Sequence, residues 1–148
     1  MSDKDIKVLI FNLGEEFFAT DIMEVERILE YEVPTPIPES PSFLEGVINH
    51  KGSILPIISL AKRFNIPIIS NNDDSKIIVA KLDMGKLGIV VDAVSEVKNI
   101  NTSDIEPSPD VVSGISKRYM KGLIKETKII KLLNLATILT EEEKQIIQ

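Results

Sequence analysis

One stretch of this chain returns later in altered dress. "SFLEGVIN" at residues 42–49 comes back as "RYMKGLIK" at 118–125, which sets Phe43 on Tyr119, Gly46 on Gly122, Val47 on Leu123 and Ile48 on Ile124 at a spacing of 76. "ILPIISLAKRF" at 54–64 then matches "IIKLLNLATIL" at 129–139, with Leu60 on Leu135 and Ala61 on Ala136 at a spacing of 75. The lost residue makes the second turn, "ETK", one residue shorter. Upstream, "KIIVAKL" at 76–82, "DMGK", "LGIVVDAV" and "EVKNI" follow the plan of residues 7–28, and "IEPSPD" at 105–110 stands where "PTPIPESPS" stood at 34–42. A period of roughly 70 residues is too long for a solenoid unit, so it describes a small lobe that has been duplicated.

Short Ile- and Val-rich runs make each lobe a β structure. "IKVLIFNL" at 6–13 reads as a strand, "GEE" at 14–16 as a turn, and "FFAT" as the returning strand. "DIMEV" at 21–25 allows one helical turn before the strand-like "ERILEYEV". The four prolines of 34–42 force a loop. "EGVIN", the turn "HKGS" and "ILPIISL" form the next hairpin, in which Pro56 points to a sheet edge or bulge. About five short strands per copy suffice to close a small barrel, and closure removes edges that would aggregate. One such lobe buries too little alone. Two packed face to face share a larger core and leave a groove. The expected plan is mainly β within one domain, residues 1–148. Subdomain one covers roughly 12–75 and subdomain two roughly 76–148, with strand 6–11 open to either and a polar linker at 65–75. Helix is confined to "SLAKRF" at 59–64 and a C-terminal segment, 134–148, that Thr140 and Glu143 can break and restart as a capping box.

The chemistry is sparse. With no cysteine there is no disulfide, thiolate metal site or cysteine nucleophile. His50 is the only histidine, so a general base would lack its usual orienting partners. The acidic runs at 14–16, 71–74 and 141–143 read as solvated faces, and none has calcium-loop spacing. The seven glycines form no phosphate-binding loop. Seventeen basic against 23 acidic residues, a net charge of −6, oppose nucleic-acid binding. The apolar runs are too short for a membrane helix. "MSDKDIK" lacks the features of a secretory signal. These readings point to a cytoplasmic chain with neither catalytic residues nor cofactor nor metal, and with surfaces suited to holding other proteins.

The stretches "GEEFFATDIMEVERIL", "PTPIPESPSFLEGVINHKGSILPIISLAKRF", "GIVVDAVSEV" and "KGLIKETKIIKLLNL" resemble the CheW-type chemotaxis coupling (adaptor) proteins, over residues 6–140. That resemblance implies two SH3-like five-stranded β-barrels about a pseudo-twofold axis. It also implies a scaffold without catalytic activity, which couples the cytoplasmic tip of methyl-accepting chemoreceptors to the regulatory domain of the histidine kinase CheA. Such a protein is cytoplasmic and recruited to membrane-associated receptor arrays. The same module in a non-chemotaxis two-component pathway is the alternative. Carried over by position, the receptor-facing groove falls on Gly46, Val47, Asn49, Lys51 and Gly52, and the kinase-facing edge on Val25, Glu26, Arg27 and Ile28. The chain departs from the family pattern at Lys51, where Arg is usual, at His50 in place of Leu, at Arg27 in the family's V-x-E, and at Ser59, where the family has an acid.

Overall fold

A computed structural model of the chain describes residues 5–67, 74–83, 85–107 and 117–147. Parts of two expected features, the linker at 65–75 and the proline loop at 105–110, lie outside these residues, as does most of the acidic run at 71–74.

Two sheets carry the fold. The first is built in the order β8–β1–β2–β11–β10–β9 from β1 (Asp5–Leu13), β2 (Glu16–Asp21), β8 (Ala93–Asn101), β9 (Ile105–Glu106), β10 (Met120–Lys125) and β11 (Ile129–Leu133). The second is built in the order β3–β6–β7–β5–β4 from β3 (Val25–Glu30), β4 (Leu44–His50), β5 (Ser53–Ser59), β6 (Lys76–Leu82) and β7 (Gly85–Val91). The mainly β, two-sheet architecture with few short helices is the one expected from sequence. The partition along the chain is different. Each sheet takes the first hairpin of one copy and the later strands of the other, so residues 12–75 and 76–148 are both divided between the sheets. The exchange obeys the repeat: β1 pairs with β8 as β6 pairs with β3, and β2 lies parallel to β11 as β7 lies parallel to β5.

This arrangement explains why the strands are apolar on successive residues rather than alternate ones. In β1, Leu9, Phe11 and Leu13 enter a core shared by both sheets, while Val8 and Ile10 enter the interior of their own sheet. In β6, Ile78 and Ala80 face the shared core, and Ile77 and Val79 their own. A strand buried on both faces loses its polar alternation.

The proline exception resolves within the ladder. Pro56 lies inside the sheet, since β5 is flanked by β7 and β4. Its partner Val47 turns both backbone groups away, to Thr35, at 2.8 and 3.0 Å, and pairing with β7 begins only at Ile57. The missing N–H is therefore not required on either side. The bulge is in β4, between Leu44 and Gly46.

The helices follow local signals. Ser59 caps α1 (Leu60–Arg63), its Oγ accepting from the Lys62 N–H at 3.2 Å. The family's acid at this position has the same capping chemistry, which Ser supplies equally well. At the C-terminus, a short 3-10 turn (Leu135–Thr137) ends before α2 (Glu141–Ile147) begins. Thr140 and Glu143 form the reciprocal capping box: the Thr140 N–H donates to Glu143 Oε1 at 2.8 Å, and the Glu143 N–H to Thr140 Oγ1 at 3.1 Å. Among the described residues no helix is long and apolar enough to cross a membrane.

Candidate docking surface

The β4–β5 hairpin ends in a two-residue turn, Lys51–Gly52, with His50 opposite Ser53. Positive φ at both residues, +52° and +80°, gives the twist that suits a hairpin. Asn49 stabilises the turn, its Oδ1 accepting from the Gly52 N–H at 3.1 Å. Lys51 then lines a cleft of about 360 Å³ with His50, Ser53, Ile54, Leu55 and Lys86. In β4, Val47 and exposed Asn49 share the outer face, while Ile48 is buried within the sheet.

Gly46 has a different standing. It is buried beneath the chain at Thr35, and a Cβ there would lie 2.6 Å from the Thr35 carbonyl carbon. Gly122 repeats the arrangement under Glu106, where a Cβ would lie 2.6 Å from the carbonyl oxygen. Both glycines follow a register shift in their strand. The repeat thus retains a close antiparallel approach of backbone to backbone that only glycine admits.

The second group of candidates forms an end strand. Val25, Glu26, Arg27 and Ile28 open β3, with a register shift at Glu26. Val25 packs on the shared core, whereas Arg27 and Ile28 face solvent. Glu26 pairs with Lys86 at 2.9 Å. The Lys86 hydrogen bond holds its carboxyl below the usual carboxylate range against the opposing effect of burial, with Lys51 and Arg27 assisting. Lys86 therefore touches both groups: it salt-bridges the β3 candidate and lines the cleft of the hairpin candidate. Local sequence does not reveal this residue. "DMGK" reads as a turn, and Lys86 comes near the β4–β5 hairpin only because β7 and β5 pair in parallel.

The twofold has a counterpart surface. The tip of β10–β11 borders a cleft of about 190 Å³ lined by Phe17, Glu126, Thr127, Lys128 and Ile130 among others. Ile54 and its repeat mate Ile129 are 70% and 50% exposed, and Ile28 and Val97, held at matching registers in β3 and β8, are 40% and 50% exposed. Among the described residues no cluster of His, Cys, Asp or Glu is built to hold a metal.

The model of the CheW-like domain matches residues 7–143, nearly the whole chain. The chain belongs to the CheW-like domain family. It is 34% identical over 141 residues to "Chemotaxis protein CheW" of Klebsiella aerogenes, covering 94% of this chain and 84% of that one. With the protein of the same name from Rhizobium meliloti it is 31% identical over 140 residues, covering 94% and 90%. Its fold matches the crystal structure of the scaffolding protein TtCheW from Thermoanaerobacter tengcongensis with a TM-score of 0.87 and 35% identity, over 95% of this chain and 91% of that one.

Proposed function

We propose that this chain is a non-catalytic coupler, joining the cytoplasmic tip of methyl-accepting chemoreceptors to the regulatory domain of the histidine kinase CheA. It works in the cytoplasm at membrane-associated receptor arrays. The observation that supports this reading is the presence of two adjoining surfaces on one sheet, bridged by Lys86. The β4–β5 hairpin offers Val47, Asn49, Lys51 and Gly52 beside a cleft, and the end strand β3 offers Arg27 and outward Ile28. The receptor takes the hairpin and the kinase takes the strand. Gly46 serves the receptor side indirectly, by letting Thr35 pair closely with β4, and Val25 and Glu26 seat β3 against the core and Lys86.

The mechanism is binding alone. Strand β3 presents apolar Ile28 at a sheet end, where packing supplies affinity. Lys51 carries a cation on a turn whose geometry is set by Asn49, so the charge is positioned before the partner arrives. Lys lacks the bidentate fork of the family's usual Arg and acts as a point charge.

Pull-down with a CheA regulatory domain and a receptor cytoplasmic fragment, mixed separately with the chain, tests the assignment. Ile28→Glu is expected to lose the kinase and keep the receptor, and Lys51→Glu to do the reverse. Equal loss of both partners in each variant would remove the division of surfaces. Full retention of both would remove the sites.

A further inference from the structure

The guanidinium of Arg63 sits where the two copies meet. Its central carbon lies 5.0 Å from the ring centre of Phe43 and 5.2 Å from that of Tyr119. The repeat sets these two aromatics on each other, so near-equal distances put the group midway between matching positions of the two copies. Its Nε donates to the Ile138 carbonyl at 3.1 Å and its Nη2 to Glu143 Oε1 at 2.8 Å. Ile138 is the counterpart of Arg63 in the repeat. The interaction therefore exists once, between the copies, and breaks the symmetry.

Each aromatic is tied to the base of its own hairpin. The Ser59 N–H, at the end of β5, donates to the Phe43 carbonyl at 2.8 Å; the Asn134 N–H, just past β11, donates to the Tyr119 carbonyl at 2.7 Å. Arg63 thus grips the bases of β4–β5 and β10–β11 together, while the two clefts lie at their tips. The outer hold is helix α2, of seven residues. A helix this short is marginal on its own, and Glu141 and Glu142 are exposed, so Glu143 is its attachment to Arg63. We propose that Arg63 is an inter-lobe clamp, with α2 as its releasable strap, which sets the angle between the two hairpins. Anything that draws Glu143 away from Arg63 loosens that angle. The clamp stands apart from the coupling role and does not depend on which partners dock.

The absence of cysteine makes the test direct. Spin labels on Ser53→Cys and Thr127→Cys, both exposed hairpin-tip positions, report the distance between tips in the full chain. The parent should give one narrow distribution. Arg63→Gln and Glu143→Ala should broaden or shift it beyond its own width and speed amide exchange in α2 on the order of tenfold, while strand amides keep their protection. In Glu143→Ala the Thr140 Oγ1 still accepts from the backbone N–H of residue 143, so the helix keeps its N-cap while Arg63 loses its acceptor, and the distance between tips decides the matter if Arg63→Gln does not fold. A narrow, unmoved distribution in a folded variant overturns the clamp, even if its melting temperature has fallen.

Discussion

The backbone of Thr35 runs antiparallel beside Gly46, held by reciprocal hydrogen bonds with Val47 at 2.8 and 3.0 Å. A methyl group at Gly46 would meet this backbone, and φ there is +140°. Gly46→Ala is expected to cost about 3 kcal/mol or more, combining strain with a clash that no rotamer relieves. Gly52 also has positive φ, +80°, but open space around it, so Gly52→Ala should cost about 1–2 kcal/mol. Urea denaturation of both variants checks the order. Equal costs would mean that the close approach of Thr35 is unimportant.

Asn49 and Lys51 are neighbours on the hairpin with different expected signatures. Asn49→Ala removes the acceptor for the Gly52 N–H and should lower stability by about 1 kcal/mol, in addition to weakening receptor capture. Lys51→Glu breaks no hydrogen bond that defines the turn. It should weaken receptor capture at nearly unchanged melting temperature. Thermal melts beside the pull-down separate the two.

Glu26 gives a pH dependence. Its carboxyl is held below the usual carboxylate range by Lys86, so the folded state binds the proton less readily than the unfolded chain. The contribution is fully present above the ordinary carboxylate value and is lost as pH falls from there through the folded value. Glu26→Gln should therefore lower stability at neutral pH and converge with the parent in acid, which flattens the acid limb of the stability curve. A parallel acid limb in the variant would show that Glu26 does not contribute.

The buried ammonium of Lys131 is paired with Glu16 at 2.6 Å and lies over the Phe18 ring at 5.0 Å. Removing the acid alone leaves a buried cation without its counter-charge. Glu16→Ala should cost about 3 kcal/mol, whereas Lys131→Met should be near neutral or stabilising by about 1 kcal/mol. Chemical denaturation of the two variants and the double mutant measures the difference. A larger loss in Lys131→Met would mean that the pair is a net contributor.

Kinase binding through the exposed apolar side of β3 should survive salt. Rim charges are screened over about 10 Å at 0.1 M, while packing at Ile28 is not. Affinity measured at low salt and at about 0.5 M, well into the screened regime, should change little; a steep fall would move the contact from packing to charge.

Several features were legible because their causes are local. The strands, the hairpin turn at Lys51–Gly52, the short helix within 59–64 and the Thr140–Glu143 box depend on side chains within a few residues. The acidic runs were read less well. Glu16 and Glu143 looked solvated, yet each meets a cation more than 70 residues away, Lys131 and Arg63 respectively. Lys86 was missed for the same reason, since its neighbours come from other strands.

By itself the sequence determined that the chain is a doubled β lobe, down to the paired glycines at 46 and 122, because periodicity and repetition are properties of residue order. Only the tertiary structure decided which copy each strand joins. The two copies carry nearly the same apolar pattern, so β1 could satisfy its alternation beside either β3 or β8. The choice of β8 is made by the parallel contacts of β2 with β11 and of β5 with β7, and by the shared core that they close. Those contacts join residues far apart in the chain, and no local pattern distinguishes one partner from its repeat.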